Sequence, residues 1–174
     1  PSLPDLIDFY SQNHMENIRI IPRLDIKGPN VVKGVFTEGV RVVGNPKELA
    51  LRYYNEGADE LLYMDIVASL YQRNLDFDLL KSVAGDIFIP ITVCGVIRSI
   101  GDIDNALRAG ADKIAINTYA IHHPGFISEA VKKFGSQCIV LSVEAKSIGK
   151  NKWEAYTDGG REKTGIDTIE WIKK

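Results

Sequence analysis

Asn55-Glu56-Gly57-Ala58-Asp59 runs into the apolar stretch Leu61-Leu62-Tyr63-Met64-Asp65, and Arg108-Ala109-Gly110-Ala111-Asp112 runs into Ile114-Ala115-Ile116-Asn117. In both places a helical pattern stops at a glycine and a short apolar strand begins. Glycine suits a helix C-terminus because it enters the left-handed backbone region without a Cβ clash. Looser copies stand at Val83-Ala84-Gly85-Asp86, before Ile87 to Cys94, and at Lys133-Phe134-Gly135-Ser136, before Cys138 to Val143. Four such junctions predict repeated helix-to-strand units feeding a parallel sheet.

Reading outward from the junctions places strands at residues 18–25, 61–66, 87–93, 113–116 and 139–143. Helices are expected at 46–56, opened by Pro46, at 76–83, and at 99–107, where Ser99 and Asp102 form a capping-box pattern. Two more are expected at 124–134, opened by Pro124, and at 167–174, with Thr164 as a possible cap. Residues 27–45, with Gly28, Pro29, Gly34, Gly39 and Gly44, read as a long loop. Residues 159–165 read as a polar loop whose glycines could approach a ligand.

Strands that are apolar throughout are expected to be buried on both faces. An open doubly wound sheet and a (β/α)8 barrel both meet that condition. The glycine fingerprint of a dinucleotide-binding first turn is missing from Asp25-Ile26-Lys27-Gly28-Pro29-Asn30. Polar residues end all five strands instead: Asp25, Asp65, Thr92, Asn117 and Glu144. Barrel enzymes build their sites at that face, so the barrel is the favoured α/β architecture. Eight units need roughly 200 residues or more. A chain of 174 residues is therefore expected to hold about the first five, as residues 15–174. Residues 1–14 are expected to be an irregular N-terminal arm or an expression remnant.

Composition narrows the function. An apolar fraction of 45% and a net charge of −2, with no block of like charge, give no sign of general nucleic-acid or membrane binding. No apolar run reaches the roughly 18 residues that span a bilayer. Cys94 and Cys138 read as buried free thiols of a reducing compartment, and the protein is read as cytoplasmic. No Cys/His spacing resembles a zinc site. His14, His122 and His123 fall in an arm and a loop and are poor catalytic candidates.

Asp25 is the sharpest candidate: a carboxylate at the mouth of a barrel can act as a general acid or base. A salt-bridged or loop-capping aspartate is the alternative. Lys33, in Val31-Val32-Lys33-Gly34, could hold a phosphate or a developing oxyanion. Asp65 and Glu144 are the other strand-end acids, suited to proton transfer at two ends of a substrate or to structural pairing. Asn117-Thr118 ends strand four and offers donors to phosphate oxygens. Cys94-Gly95-Val96-Ile97 is a second candidate phosphate loop.

Taken together, Ile21-Pro22-Arg23-Leu24-Asp25-Ile26-Lys27, Val31-Val32-Lys33-Gly34, Tyr63-Met64-Asp65-Ile66-Val67-Ala68-Ser69, Gly110-Ala111-Asp112-Lys113-Ile114-Ala115-Ile116-Asn117-Thr118 and Phe134-Gly135-Ser136-Gln137 strongly resemble the HisF family, the cyclase subunits of imidazole glycerol phosphate synthase. The likeness is colinear from about Ile18 to Lys174. It implies a (β/α)8 barrel that joins ammonia to a phosphoribulosyl-formimino aminoimidazole carboxamide ribonucleotide. The products are imidazole glycerol phosphate, for histidine synthesis, and an aminoimidazole carboxamide ribonucleotide. It implies no cofactor, and a glutaminase partner docked at the N-terminal face whose ammonia passes through the barrel. By the same resemblance Asp25 is the acid/base after strand one, Lys33 the assisting loop lysine and Glu144 the second acid. Asn117 and Thr118 match one phosphate site, and Asp65 the strand-two acid near the substrate.

Three departures accompany the likeness. Glu144 stands in Val143-Glu144-Ala145-Lys146 where the family has an aspartate. Val96 replaces the third glycine of a phosphate-binding triplet, in Cys94-Gly95-Val96. The family's other aspartate and second phosphate site lie beyond Lys174. Glu144, with Gly39-Val40-Arg41-Val42-Val43-Gly44, also resembles HisF-like proteins that amidate a sugar in surface polysaccharide synthesis. A non-catalytic scaffold is the third reading.

Overall fold

The structure is a computed structural model that describes residues 4–5, 18–35, 39–67, 74–95 and 97–174. Val96, and residues 1–14 apart from 4 and 5, lie outside the described residues. Strands β1 (Arg23–Lys27), β2 (Asn30–Val35), β3 (Gly39–Gly44), β4 (Leu61–Asp65), β5 (Ile91–Cys94), β6 (Lys113–Ile116) and β7 (Ile139–Leu141) form one sheet, in the order β3-β2-β1-β4-β5-β6-β7. β1, β4, β5, β6 and β7 are parallel. Between them run α1 (Pro46–Asn55), α2 (Phe77–Ala84), α3 (Ile100–Arg108), α4 (Thr118–His122) and α5 (Gly125–Phe134).

Each parallel strand lies beside its predecessor, with no reversal of order. Crossover connections are right-handed almost without exception, so unreversed order puts every helix on the same face. That is barrel construction; a doubly wound sheet reverses at a switch point. Leu24, Ile26, Leu61, Tyr63, Ile91, Val93, Ile114 and Ile116 point to the helices and are essentially buried. Alternate residues, such as Leu62, Met64 and Val140, are only half-buried or exposed. The expected burial on both strand faces therefore holds for the central strands β5 and β6, where Thr92, Cys94 and Ala115 are buried as well, and for one face only in β1 and β4.

The Gly-Ala-Asp junctions repeat in atomic detail. At the end of α1, Gly57 N–H donates to the Tyr54 carbonyl at 3.1 Å and Ala58 N–H to Tyr53 at 3.0 Å. At the end of α3, Gly110 N–H donates to Leu107 at 3.1 Å and Ala111 N–H to Ala106 at 3.1 Å. Both glycines have positive φ, 90° and 109°, the backbone of a Schellman stop. Each aspartate then clasps one residue of the neighbouring strand segment twice. Asp59 N–H donates to the Ile20 carbonyl at 3.0 Å and its Oδ2 accepts from Ile20 N–H at 2.7 Å. Asp112 does the same with Ile91, at 2.9 and 2.8 Å. The looser copy at Gly85 differs, since its φ is −63° and stays right-handed.

Proline and glycine explain where expectation and structure part. Among the described residues of 27–45, β2 and β3 extend the sheet as antiparallel strands rather than forming a long loop. Gly28 (φ 60°) and Pro29 make a two-residue turn, because glycine's positive φ followed by proline's fixed negative φ suits a hairpin. The valines at 31, 32, 40, 42 and 43 then favour strand. The third parallel strand begins at Ile91 rather than residue 87, after Pro90, and Phe88 is 84% exposed. The first begins at Arg23, after Pro22. Residues 144–167 form a separate antiparallel sheet of β8 (Glu144–Gly149), β9 (Lys152–Thr157) and β10 (Glu162–Asp167). The polar stretch 159–165 is thus the β9–β10 turn and part of β10. The last helix, α6 (Thr168–Lys173), is capped by Asp167, whose side chain accepts from Ile169 and Glu170 N–H. Thr164 is not the cap; it donates to the Ala155 carbonyl at 2.6 Å. Ser99 and Asp102 do form the capping box.

A Cβ on Gly110 would lie 2.5 Å from Ala84 Cβ, on a backbone at φ 109°. Gly110→Ala is expected to destabilise the fold by about 2–4 kcal/mol, combining overpacking with backbone strain. Adding Ala84→Gly should recover only the steric part. Urea denaturation of the single and double variants checks this.

Candidate functional site

Two polar constellations lie at opposite ends of the parallel strands. At the C-terminal ends is a cavity of about 300 Å³ lined by Arg23, Met64, Asp65, Ile66, Cys94, Gly95, Asn117, Thr118, Ser142, Glu144, Asp158, Gly159 and Arg161. Five of the eight residues singled out from sequence meet here: Asp65, Gly95, Asn117, Thr118 and Glu144. Asp25 and Lys33 do not line it, and Val96 lies outside the described residues. Asp25 is tied to the cavity through Arg23, whose Nε is 2.7 Å from Asp25 Oδ1 and whose Nη2 donates to Oδ2 at 3.0 Å. The two side chains are two residues apart on one strand and so share a face. Lys33 is exposed on β2, in register with Arg41 of β3.

Local structure explains how the lining residues are held. Asp65 is buried at the end of β4, and its Oδ1 accepts from Val67 N–H at 3.0 Å, turning the chain away from the sheet. Gly95 has φ 141°, and a Cβ there would lie 3.2 Å from both Asp65 Cβ and the Asp65 carbonyl oxygen. Only glycine lets this loop pass so close to Asp65. Asn117 follows β6, and its Oδ1 is buried with no hydrogen-bond partner among the described residues. Thr118 Oγ1 accepts from Asp158 N–H at 3.0 Å, which leaves its own hydroxyl proton free to donate. Glu144 Oε2 accepts from Gly160 N–H at 2.6 Å.

Arg23, Ser142, Asp158 and Arg161 were not anticipated as lining residues, whereas Cys94 belongs to the candidate phosphate loop and Gly159 to the loop whose glycines could approach a ligand. Arg23 and Ser142 carried a signal, a polar residue in an apolar strand. The Gly159-Gly160-Arg161 string was visible, but nothing local shows that β9 and β10 fold it back onto the cavity. Cys94 is buried, which pushes its thiol up to about 11, against hydrogen bonds from Ser142 and the Gly95 backbone. It is a neutral thiol at physiological pH and a poor nucleophile.

The second constellation lies at the N-terminal ends of the strands, and sequence reading missed it. Glu60, immediately before β4, is 5% exposed. Lys113 Nζ donates to both its carboxylate oxygens, at 2.9 and 2.8 Å; Thr92 Oγ1 donates to Oε1 at 2.7 Å, and Arg19 Nη1 to Oε2 at 3.1 Å. Burial alone would push the Glu60 carboxyl up. The Lys113 and Thr92 hydrogen bonds, with the charges of Lys113 and Arg19, outweigh it and hold the carboxyl below its ordinary value. Among the described residues no group of three or more His, Cys, Asp or Glu side chains could hold a metal ion. No helix among them is long and apolar enough to cross a membrane.

Sequential parallel strands with a polar cavity at their C-terminal ends define an enzyme of the (β/α)8-barrel class, represented by its first five units. The chain belongs to the HisF family of histidine biosynthesis proteins: the model described as "Histidine biosynthesis protein" matches residues 19–174. It is similar to the imidazole glycerol phosphate synthase subunit HisF of Legionella pneumophila, with 57% identity over 159 residues. That match covers 91% of this chain and 75% of the relative.

Two outcomes test this geometry. The Glu60 cluster should stabilise the fold fully above the unfolded carboxyl pKa near 4.3. Its contribution should fade as pH falls through the lower folded value. Lys113→Met should weaken that acid dependence and cost about 2–3 kcal/mol at pH 7, somewhat under a fully buried pair because Lys113 is partly exposed; urea melts at pH 7 and pH 4 measure both. Cys94 should resist iodoacetamide at pH 8 in the folded protein and react once unfolded, as read by peptide mass spectrometry.

Proposed function

We propose that the chain is the cyclase of imidazole glycerol phosphate synthase, acting in histidine biosynthesis. It would use ammonia to convert the phosphoribulosyl-formimino aminoimidazole carboxamide ribonucleotide to imidazole glycerol phosphate. The observation that carries this is the 57% identity to a HisF subunit across nearly the whole chain. The polar cavity at the strand ends supports it. A glutaminase partner, cytoplasmic location and the absence of any required cofactor complete the reading.

In this assignment Asp25 is the acid/base, and Arg23 orients its carboxylate. Glu144 supplies a second carboxylate in the cavity. Lys33, on the hairpin that follows β1, supplies a cation to the substrate. Asn117 and Thr118 take a phosphoryl group, and Gly95 leaves room beside Asp65 for the substrate to approach the backbone. The Glu60–Lys113–Arg19 cluster lies at the strand ends where the family likeness seats the glutaminase.

Turnover of the formimino substrate with ammonium salts tests the reading. Asp25→Asn is expected to lower kcat by roughly a hundredfold or more, the scale of lost general acid–base catalysis. Stability should change by about 1 kcal/mol or less, since the Arg23 pair is solvent-accessible. A folded wild-type protein without turnover would contradict the assignment and direct the search to a sugar acceptor.

A further inference from the structure

The β9–β10 turn, Asp158-Gly159-Gly160-Arg161, is strapped to the cavity from two sides. Thr118 Oγ1 accepts from Asp158 N–H at 3.0 Å, and Glu144 Oε2 accepts from Gly160 N–H at 2.6 Å. Asp158, Gly159 and Gly160 all have positive φ, 53°, 71° and 75°. The turn therefore has a defined shape and two fixed points, and it presents Arg161 to the cavity.

The charges lining the cavity are not equally engaged. Arg23 is neutralised by Asp25. Asp65 accepts from a backbone amide, and so does Glu144. Arg161 makes no ion pair with any described residue. A guanidinium without an internal carboxylate, on a turn pinned by Thr118, suits a phosphoryl group, which it can meet through two parallel N–H donors.

We propose that Arg161 binds the same substrate phosphoryl group as Asn117 and Thr118, and that Glu144 is the positioning residue that holds its turn in place. This deepens the cyclase reading and rests on it. A glutamate at 144 has one methylene more than an aspartate with which to reach Gly160. Its carboxylate can accept from the turn whatever part it also takes in proton transfer.

Equilibrium binding of the formimino nucleotide without ammonia separates these roles, because no chemistry follows. Arg161→Met is expected to weaken Kd ten- to hundredfold, and Arg161→Lys to restore part of it. Glu144→Ala should weaken Kd by a similar factor. Glu144→Gln should bind as the wild type does, since a carboxamide oxygen still accepts from Gly160 N–H. Circular dichroism confirms folding, and Arg161 is exposed, so its replacement leaves the core intact. Wild-type binding by Arg161→Met would overturn the phosphate role. An unchanged Kd for Glu144→Ala, or a Glu144→Gln defect as large as that of alanine, would overturn the strap. A wild-type protein that neither binds nor turns over the nucleotide would instead refute the cyclase reading, and this inference with it.

Discussion

The double clasp of an aspartate on a neighbouring strand segment is the constraint on which the sheet depends. Asp59 and Asp112 each use the backbone N–H and a side-chain oxygen on a single residue, Ile20 and Ile91. A parallel sheet has no tight hairpin to set its register. The clasp sets it by pinning the start of one strand to the start of its neighbour. It works only if the helix before it ends sharply, hence the positive-φ glycine, and if the residue between fits against the core, hence the buried alanine. Hydrogen bonds to a carboxylate contribute about 1.5–3 kcal/mol each, enough for a few such contacts to decide register.

Fixed register aligns the strand ends, and those ends carry the polar groups. At the N-terminal ends, Glu60, Thr92 and Lys113 come from three adjacent strand starts and close into one hydrogen-bonded cluster. At the C-terminal ends, Asp65, Gly95, Asn117 and Ser142 come together around one cavity. The middle of the strands carries apolar residues on the helix side. The polar clusters are thereby set at the two ends, with the antiparallel β8–β10 sheet tied to the C-terminal one through Thr118 and Glu144.

Much of this was legible from sequence, because the signals are local. Glycine stops, the Ser99–Asp102 cap and the apolar strands each declare themselves within ten residues. The strand-end rule then located Asp65, Asn117 and Glu144 in the cavity, and the loops beside those ends added Gly95 and Thr118; Thr92, read as a strand end, instead lies near the start of β5 in the Glu60 cluster. Contacts set by tertiary folding were illegible. The Glu60 cluster joins residues up to 94 positions apart, and a lysine opening a strand looks solvated when read alone. The return of Arg161 to the cavity depends on the pairing of β8, β9 and β10. Residues 27–45 misled because glycines suggest turns, yet only Gly28 makes one; Gly34, Gly39 and Gly44 lie within β2 and β3, where the valines set the structure. Asp25 shows the opposite limit: its place at the strand end was foreseen, but its pairing with Arg23 was not, although two residues apart on one strand share a face.

The central claim is that the cavity at the C-terminal strand ends receives the phosphorylated nucleotide. A crystal structure of the protein soaked with that nucleotide in the absence of ammonia tests it most directly. The account predicts density in the cavity, with a phosphoryl group against Asn117 and Thr118 and the reacting end toward Asp25. An ordered nucleotide bound elsewhere, with the cavity unchanged, would contradict it.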